Sequence, residues 1–192
     1  HRTWDFQVYK ERLVLHKAQD ADTGFDGTLL FTSHNDYYDP WVVAQLMCQG
    51  IDQVPLVAVN PIYQPPFVVA RKVKSLMSLY QRSVAINWIT GTAKSDMAQL
   101  GDALSKEQRY KRLEEFVEVF HLYLKGESFD YQGQFYQLKQ AHLRSASDAL
   151  FEVKEFVSGS SQWAESIARQ WGGTQLEMLP ASWHAESLQG KG

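Results

Sequence analysis

The segment Val84-Ala85-Ile86-Asn87-Trp88-Ile89-Thr90, VAINWIT in one-letter code, is largely apolar and is followed by Gly91. A short apolar run that stops at a glycine is typical of a buried β-strand. Inside such a strand an amide costs on the order of 1–3 kcal/mol unless it is hydrogen-bonded. By the two-residue period of a strand, Asn87 shares a face with Ala85, Ile89 and Gly91, and the small side chains among them leave room beside it. Two interpretations of Asn87 stay open, an amide satisfied by nearby backbone and a ligand contact.

On either side of this strand, the sequence alternates between strand and helix patterns. Short apolar runs predict the strands, and stretches with helical apolar spacing between them predict the helices. The clearest helix begins at Ser105, which forms a capping box with Gln108, and ends at Gly126. Strands are predicted at 28–32, 55–59, 84–90, 153–157 and 175–179, helices at 3–21, from Asp39-Pro40 onward, at 65–80, from Ser105 to Gly126 and at 161–171, and a hairpin at 131–135.

This alternation predicts an α/β fold with a parallel sheet and crossover helices. Either an open doubly wound sheet or a (β/α)8 TIM barrel fits the pattern. No G-x-G-x-x-G follows the first predicted strand, which weakens the dinucleotide-binding sheet. A full barrel needs eight units and about 250 residues. The barrel interpretation therefore makes residues 1–192 a single domain, an incomplete barrel of about five β/α units that is truncated at both ends.

The composition excludes several classes of partner. The net charge is -3 and lysine and arginine do not cluster, which argues against a nucleic-acid groove or an anionic membrane surface. No run of about 18 apolar residues is present, so no membrane-spanning helix is predicted. The single cysteine, Cys48, cannot form an internal disulfide and gives no metal-site spacing. A reducing compartment such as the cytoplasm is the expected location.

Small or polar residues follow the predicted strands. Because ligands bind at the carboxyl ends of parallel strands, these residues predict a rim of hydrogen-bonding groups that suits a large polar ligand better than a metal ion. His34 is the best-placed histidine and is a candidate for proton transfer. His16, His121 and His142 are interpreted as helix-surface or linker residues. The rim residues are Thr32, Ser33, His34, Asn60, Thr90 and the run Ser158-Gly159-Ser160-Ser161.

The run Ser158-Gly159-Ser160-Ser161 precedes a predicted helix and has two interpretations. Ser160 or Ser161 can cap the helix. The same helix end carries free N–H groups and partial positive charge, which favour a phosphate, and Gly159 would let the phosphate approach the backbone. Arg109 and Tyr110 lie in the first turn of another helix. An arginine there opposes the helix dipole, and an anionic ligand would compensate for it.

Several stretches together resemble the bacterial luciferase-like flavin monooxygenases, and within them the alkanesulfonate monooxygenase type. Each stretch is weakly specific alone, whereas their order and spacing cover nearly the whole chain. They are Gly24-Phe25-Asp26-Gly27, Asp39-Pro40-Trp41, Val57-Ala58-Val59-Asn60-Pro61, Ala70-Arg71-Lys72, Ile86-Asn87-Trp88-Ile89-Thr90-Gly91, Gly101-Asp102, Glu107-Gln108-Arg109-Tyr110, Phe129-Asp130-Tyr131-Gln132-Gly133 and Ser158-Gly159-Ser160-Ser161.

The resemblance implies a (β/α)8 barrel that binds flavin mononucleotide (FMN) at its carboxyl-end rim. It also implies a flavin reductase that supplies reduced FMN, a small organic substrate oxidised with O2, and assembly as a homo-oligomer. Carried over by position, the expected FMN contacts are Thr32 and Ser33 in the ring region, Asn87 at the flavin or its ribityl chain, and Asp96 near the ribityl chain. Arg109 and Tyr110 are expected on the phosphate side and Ser160 and Ser161 at the phosphate itself, with Gly159 and Thr90 on the same rim.

The chain also departs from this family. Alkanesulfonate enzymes commonly carry a cysteine where this chain has Tyr37 or Tyr38, so the resemblance does not indicate sulfonate as the substrate. Lys154 and Glu155 put charge into a predicted buried strand. Two alternatives to the monooxygenase stay open. One is an oxidoreductase of the same superfamily that uses the deazaflavin F420, and the other is a non-catalytic flavin-binding protein or an inactive fragment.

Overall fold

The computed structural model describes residues 26–33, 38–49, 53–91, 94–144 and 152–177. The predicted helix at 3–21 and the candidate His34 lie outside these residues. The described strands are β1 Gly27–Leu30, β2 Val54–Val59, β3 Val84–Trp88, β4 Phe129–Gln132, β5 Gln137–Ala141, β6 Val153–Ser158 and β7 Thr174–Leu176, and the helices are α1 Pro40–Cys48, α2 Pro66–Tyr80, α3 Lys94–Gln99, α4 Lys106–Lys125 and α5 Gln162–Trp171.

Five strands form one parallel sheet in the order β1-β2-β3-β6-β7. The predicted parallel sheet with crossover helices is therefore confirmed. Strands β4 and β5 form a separate antiparallel hairpin between α4 and β6, as the sequence predicted. All five parallel strands present their carboxyl ends at the same edge, and the residues after those ends form the candidate site.

The hydrophobic core lies between the sheet and its helices. Alternate residues of the central strands, such as Val57, Ile86 and Trp88, face α2, α4 and α5 and are buried there. Trp88 packs edge-on against Phe116 and Phe120 of α4, with ring centroids 5.8 and 5.1 Å apart. Such aromatic contacts add to the burial of apolar area, which is the main stabilising contribution to a layered α/β fold.

The helix ends follow the local sequence signals. Asp39 caps α1 by accepting the N–H of Trp41 at 2.8 Å. In the capping box of α4, Ser105 Oγ accepts the N–H of Gln108 at 3.2 Å and Gln108 Oε1 accepts the N–H of Ser105 at 2.9 Å. Gly126 ends α4 in the left-handed region with φ 78°, as predicted for a glycine there.

Two local differences from the sequence-based expectations have physical causes. Strand β3 ends at Trp88 rather than at 90, because β2 ends at Val59 and only the bond from Ile89 N to Val59 O, 2.9 Å, continues the ladder. Helix α3, Lys94–Gln99, was not predicted, since its six residues are too short to show a helical period.

His121 differs from its interpretation as a surface residue. Its ring stacks on Trp171 with centroids 4.6 Å apart, and its Nε2 lies 2.9 Å from Glu155 Oε1, an ion pair when the imidazole is protonated. Trp88 Nε1 donates to the other Glu155 oxygen at 2.6 Å. The Glu155 carboxylate, which the sequence placed in a buried strand, thus accepts a hydrogen bond from Trp88 and lies beside His121, while the neighbouring Lys154 is exposed.

The β4–β5 hairpin is attached to α4 through Glu115. Its two carboxylate oxygens accept the backbone N–H groups of Gln134 and Phe135, both at 2.8 Å, and of Tyr136 at 3.2 Å. One turn further on, Glu118 accepts the hydroxyl of Tyr131 at 2.7 Å. Burial, followed by this hydrogen bond, raises the pKa of Tyr131.

Replacing Glu115 with Gln preserves the size of the side chain but removes one acceptor oxygen. We expect the free energy of unfolding to fall by about 1–3 kcal/mol, because backbone N–H groups of the turn lose their partner. Urea denaturation followed by circular dichroism measures the change. Glu107→Gln is the control, since Glu107 on the same helix is exposed and forms a surface pair with Lys111 that contributes at most about 1 kcal/mol. Equal losses in the two variants would contradict this role of Glu115.

The raised pKa of Tyr136 makes the free energy of unfolding depend on pH in the alkaline range. Burial raises its pKa from 10.0 to about 12, with Arg112 opposing the shift and Glu115 adding to it. The folded state therefore keeps a proton that the unfolded state releases near pH 10, so this stabilisation is present below that pH and is lost as the pH rises toward 12. We expect Tyr136→Phe to lose less stability than the parent over this interval in urea titrations. An identical dependence of the free energy of unfolding on pH in the two proteins would contradict the raised pKa of Tyr136.

Candidate functional site

The turn between β6 and α5 is tightly constrained by its neighbours. Gly159 has φ 131°, a conformation that other residues rarely adopt, and a Cβ on it would lie 2.8 Å from the hydroxyl oxygen of Tyr110. Its N–H donates to the carbonyl of Leu176 at 2.9 Å, and its carbonyl accepts Gln175 Nε2 at 2.7 Å. The turn is thus held from β7 on one side and approached closely by Tyr110 on the other.

Helix α5 begins directly after this turn. Ser161 is its N-cap, with Oγ accepting the N–H of Ala164 at 3.3 Å, which confirms the predicted cap and assigns it to the second of the two serines. Ser160 is exposed. The first N–H groups of a helix have no acceptor within it and carry partial positive charge, so this end favours an anion.

Tyr110, in the first turn of α4, points its hydroxyl at the same place. The residue is only 5% exposed, and its ring stacks on Trp163 of α5 with centroids 5.6 Å apart. Within the described part of the chain the hydroxyl makes no hydrogen bond. A bound acceptor beside Gly159 would give this hydroxyl a partner.

Asn87 lies one strand away from this turn. Its Oδ1 accepts the hydroxyl of Ser158, the last residue of β6, at 2.9 Å. The amide is only 3% exposed, and its Nδ2 makes no hydrogen bond to the residues that the structure describes. One half of the side chain is therefore satisfied by the protein, and the donor half is available to a ligand.

Sequence reasoning placed Ser158 and Asn60 on the rim but assigned neither of them a specific contact with the ligand. In the pairing of β3 with β6, Asn87 lies opposite Phe156. Ser158, two residues further along β6, is therefore on the same face of the sheet as Asn87. Asn60 follows β2, is only 5% exposed, and accepts the N–H of Ile62 with Oδ1 at 3.2 Å. The signal for Asn60 was its position, a buried polar residue directly after a strand of the parallel sheet.

Other predicted contacts have partners away from the turn. Thr32 Oγ1 donates to the carbonyl of Ala58 at 2.5 Å. Arg109 Nη1 donates to the carbonyl of Leu104 at the start of its own helix, 2.9 Å away. Asp96 accepts the hydroxyl of Tyr63 at 2.8 Å. Ser33 and Thr90 are half-buried after β1 and β3, and His34 lies outside the described residues.

A family model described as luciferase-like monooxygenase matches residues 13–168. The chain belongs to this family. In sequence it is 33% identical over 149 residues to the 4-(gamma-L-glutamylamino)butanoyl-[BtrI acyl-carrier protein] monooxygenase BtrO of Niallia circulans, an alignment that covers 76% of this chain and 43% of BtrO. The chain thus spans less than half the length of this curated relative.

Solved structures of similar fold agree with this family. EDTA monooxygenase (EmoA) of Chelativorans sp. BNC1 matches 90% of this chain and 50% of its own at a TM-score of 0.77 and 18% identity. Riboflavin lyase (RcaE), solved with modified FMN and riboflavin, matches 85% of this chain and 45% of its own at a TM-score of 0.71 and 19% identity. An F420-dependent secondary alcohol dehydrogenase matches 91% of this chain and 54% of its own at a TM-score of 0.70 and 19% identity. The sheet is accordingly part of a luciferase-like (β/α)8 barrel, as the resemblance implied.

Two further observations concern only the residues that the structure describes. No helix among them has the length and apolar character needed to cross a membrane. In the same residues, His, Cys, Asp and Glu side chains do not gather in any group of three or more that could hold a metal ion.

The two serines of the turn are separable by mutation. Ser161→Ala removes the cap of α5, and we expect the free energy of unfolding to fall by about 1 kcal/mol. Ser160→Ala changes an exposed side chain and is expected to alter stability by less than about 0.5 kcal/mol. Thermal denaturation of both variants tests this assignment. A larger loss for Ser160→Ala would move the cap to that residue.

Proposed function

We propose that the protein is a flavin-dependent monooxygenase that uses reduced FMN and O2 to oxidise a small organic substrate. One observation carries the proposal, namely that the Tyr110 hydroxyl, which lacks a partner in the described residues, faces the start of α5 beside Gly159. This arrangement suits a phosphate, and the family membership and the similar structure of riboflavin lyase with modified FMN support FMN as the molecule that brings it. Residues 1–192 would form part of one barrel domain.

The residues present fit such a cofactor. The first N–H groups of α5 and the hydroxyls of Tyr110, Ser160 and Ser161 would hold the phosphate, and Gly159 would leave space for it. Asn87 Nδ2 would donate to the ribityl chain or the ring. When bound, reduced flavin supplies the electrons that let O2 deliver one oxygen atom to the substrate.

The remaining predicted contacts complete the proposal around this site. Thr32, Ser33 and Thr90 would line the ring end, and Asp96 would order the ribityl side through its bond to Tyr63. Arg109 would add positive potential near the phosphate. His34 remains the candidate for proton transfer.

The proposed partners rest on the resemblance to the two-component enzymes. A separate flavin reductase would supply reduced FMN, and the protein would assemble as a homo-oligomer. The single cysteine agrees with a reducing compartment, for which the cytoplasm is proposed.

An F420-dependent oxidoreductase is the second candidate, favoured by the F420-dependent dehydrogenase of similar fold. Anaerobic titration of the full-length protein with reduced FMN and with reduced F420, followed by oxygen, distinguishes the two. Tight binding of reduced FMN and oxygen consumption that depends on an added aldehyde, amine or sulfonate would support the monooxygenase. FMN binding without such consumption would favour a non-catalytic flavin-binding protein, and preference for F420 would favour the second candidate.

Tyr110→Phe tests the phosphate end directly. We expect the Kd for FMN to rise about tenfold or more, because a hydrogen bond to a charged group contributes roughly 1.5–3 kcal/mol, while the Kd for riboflavin, which lacks the phosphate, stays the same. Flavin fluorescence measures both. Tyr123→Phe is the matched control, since Tyr123 lies on the same helix and is also 5% exposed. Equal effects on FMN and riboflavin would contradict the assignment.

A further inference from the structure

Asn60 presents a hydrogen-bond donor whose orientation is fixed by the protein. Its Oδ1 accepts the N–H of Ile62, two residues along the chain, at 3.2 Å. This bond identifies the oxygen end of the amide and turns the Nδ2 end to the other side. The residue is 5% exposed, and in the described part of the chain Nδ2 has no acceptor. A carbonyl oxygen of a ligand at the rim would give this donor an acceptor.

The Nδ2 group of Asn60 lies against the backbone that follows β3. A Cβ on Gly91 would come within 2.6 Å of it, and Gly91 has φ 76°, so a glycine there leaves the amide its space. Gly91 lies four residues beyond Asn87 along the same chain direction. In the described residues the amides of Asn60 and Asn87 thus each leave an N–H2 group without a protein acceptor, on or directly after neighbouring strands of the sheet.

The two amides differ in chemistry from the turn before α5. A neutral N–H2 group suits an uncharged acceptor such as a carbonyl oxygen, whereas a helix N-terminus suits an anion. Neighbouring strands lie about 4.8 Å apart, so β2 is about 10 Å from β6, which leads into that turn. A molecule that binds Asn60, Asn87 and the turn before α5 together carries an anion at one end and uncharged acceptors about 10 Å away.

We propose that Asn60 is a cofactor-binding residue whose Nδ2 donates to the uncharged, carbonyl-bearing ring of the flavin. This inference rests on the proposed function, because it takes the anion beside Tyr110 to be the phosphate of FMN. Asn60 and Asn87 then bind the part of the molecule that FMN and riboflavin share, and the turn before α5 binds the part that only FMN has.

Asn60→Asp in the full-length protein tests this role. The carboxylate keeps an oxygen for the N–H of Ile62 and removes the N–H2 donor. We expect the Kd values for FMN and for riboflavin, measured by flavin fluorescence, to rise by the same factor of about five or more. Asn60→Ser is the second variant, because its hydroxyl can form the same turn but is too short to reach Gly91. It is expected to weaken both ligands as well.

Gln137→Glu is the control for the added charge, since Gln137 is exposed on the β4–β5 hairpin, and it is expected to leave both Kd values unchanged. Unchanged affinity for both ligands in folded Asn60 variants would overturn the role of Asn60 and leave the proposed function standing. Weaker binding of FMN alone would also overturn it, by moving Asn60 to the phosphate end. Failure of the parent protein to bind either flavin would overturn the proposed function itself.

Discussion

The pairing of β3 with both β2 and β6 is the interaction on which the rest of the structure depends. All five residues of β3 are buried, and both neighbouring ladders are parallel. Ile86 and Trp88 on one face pack against the helices, and Asn87 on the other face bonds to Ser158. Because parallel strands place their carboxyl ends together, this one ladder brings Asn60, Asn87 and the turn at Gly159 to the same edge.

Glu155 shows how a charge is accommodated in this sheet. A buried carboxylate is expensive unless hydrogen bonds and an opposite charge offset its desolvation. Trp88 supplies the hydrogen bond, and His121 of α4 supplies the charge when it is protonated. Strands β3 and β6 are therefore cross-linked twice by side chains, through Trp88 and Glu155 on the helix-facing side and through Asn87 and Ser158 on the opposite side.

Features set by neighbours in sequence could be predicted, and features set by distant contacts could not. The capping box at Ser105, the glycine end at Gly126 and the parallel strands all follow from local residue patterns. The partners of Glu155 and the free amide end of Asn60 depend on residues far along the chain, so no local pattern encodes them. The serine run was compatible with a cap and with an anion site, and the approach of Tyr110 is the observation that distinguishes a plain cap from a candidate site.

Helix α4 contacts β6 and the segment that follows it at two separate positions along the helix. Near its start, Tyr110 stacks on Trp163 and approaches Gly159, and 11 residues later His121 meets Glu155. At about 1.5 Å per residue these attachments are about 16 Å apart. Helix α4 can neither slide along β6 nor rotate about its own axis without breaking the contacts of Tyr110 or of His121. The spacing between Tyr110 and the turn is therefore set before any ligand arrives, which lowers the entropy lost on binding.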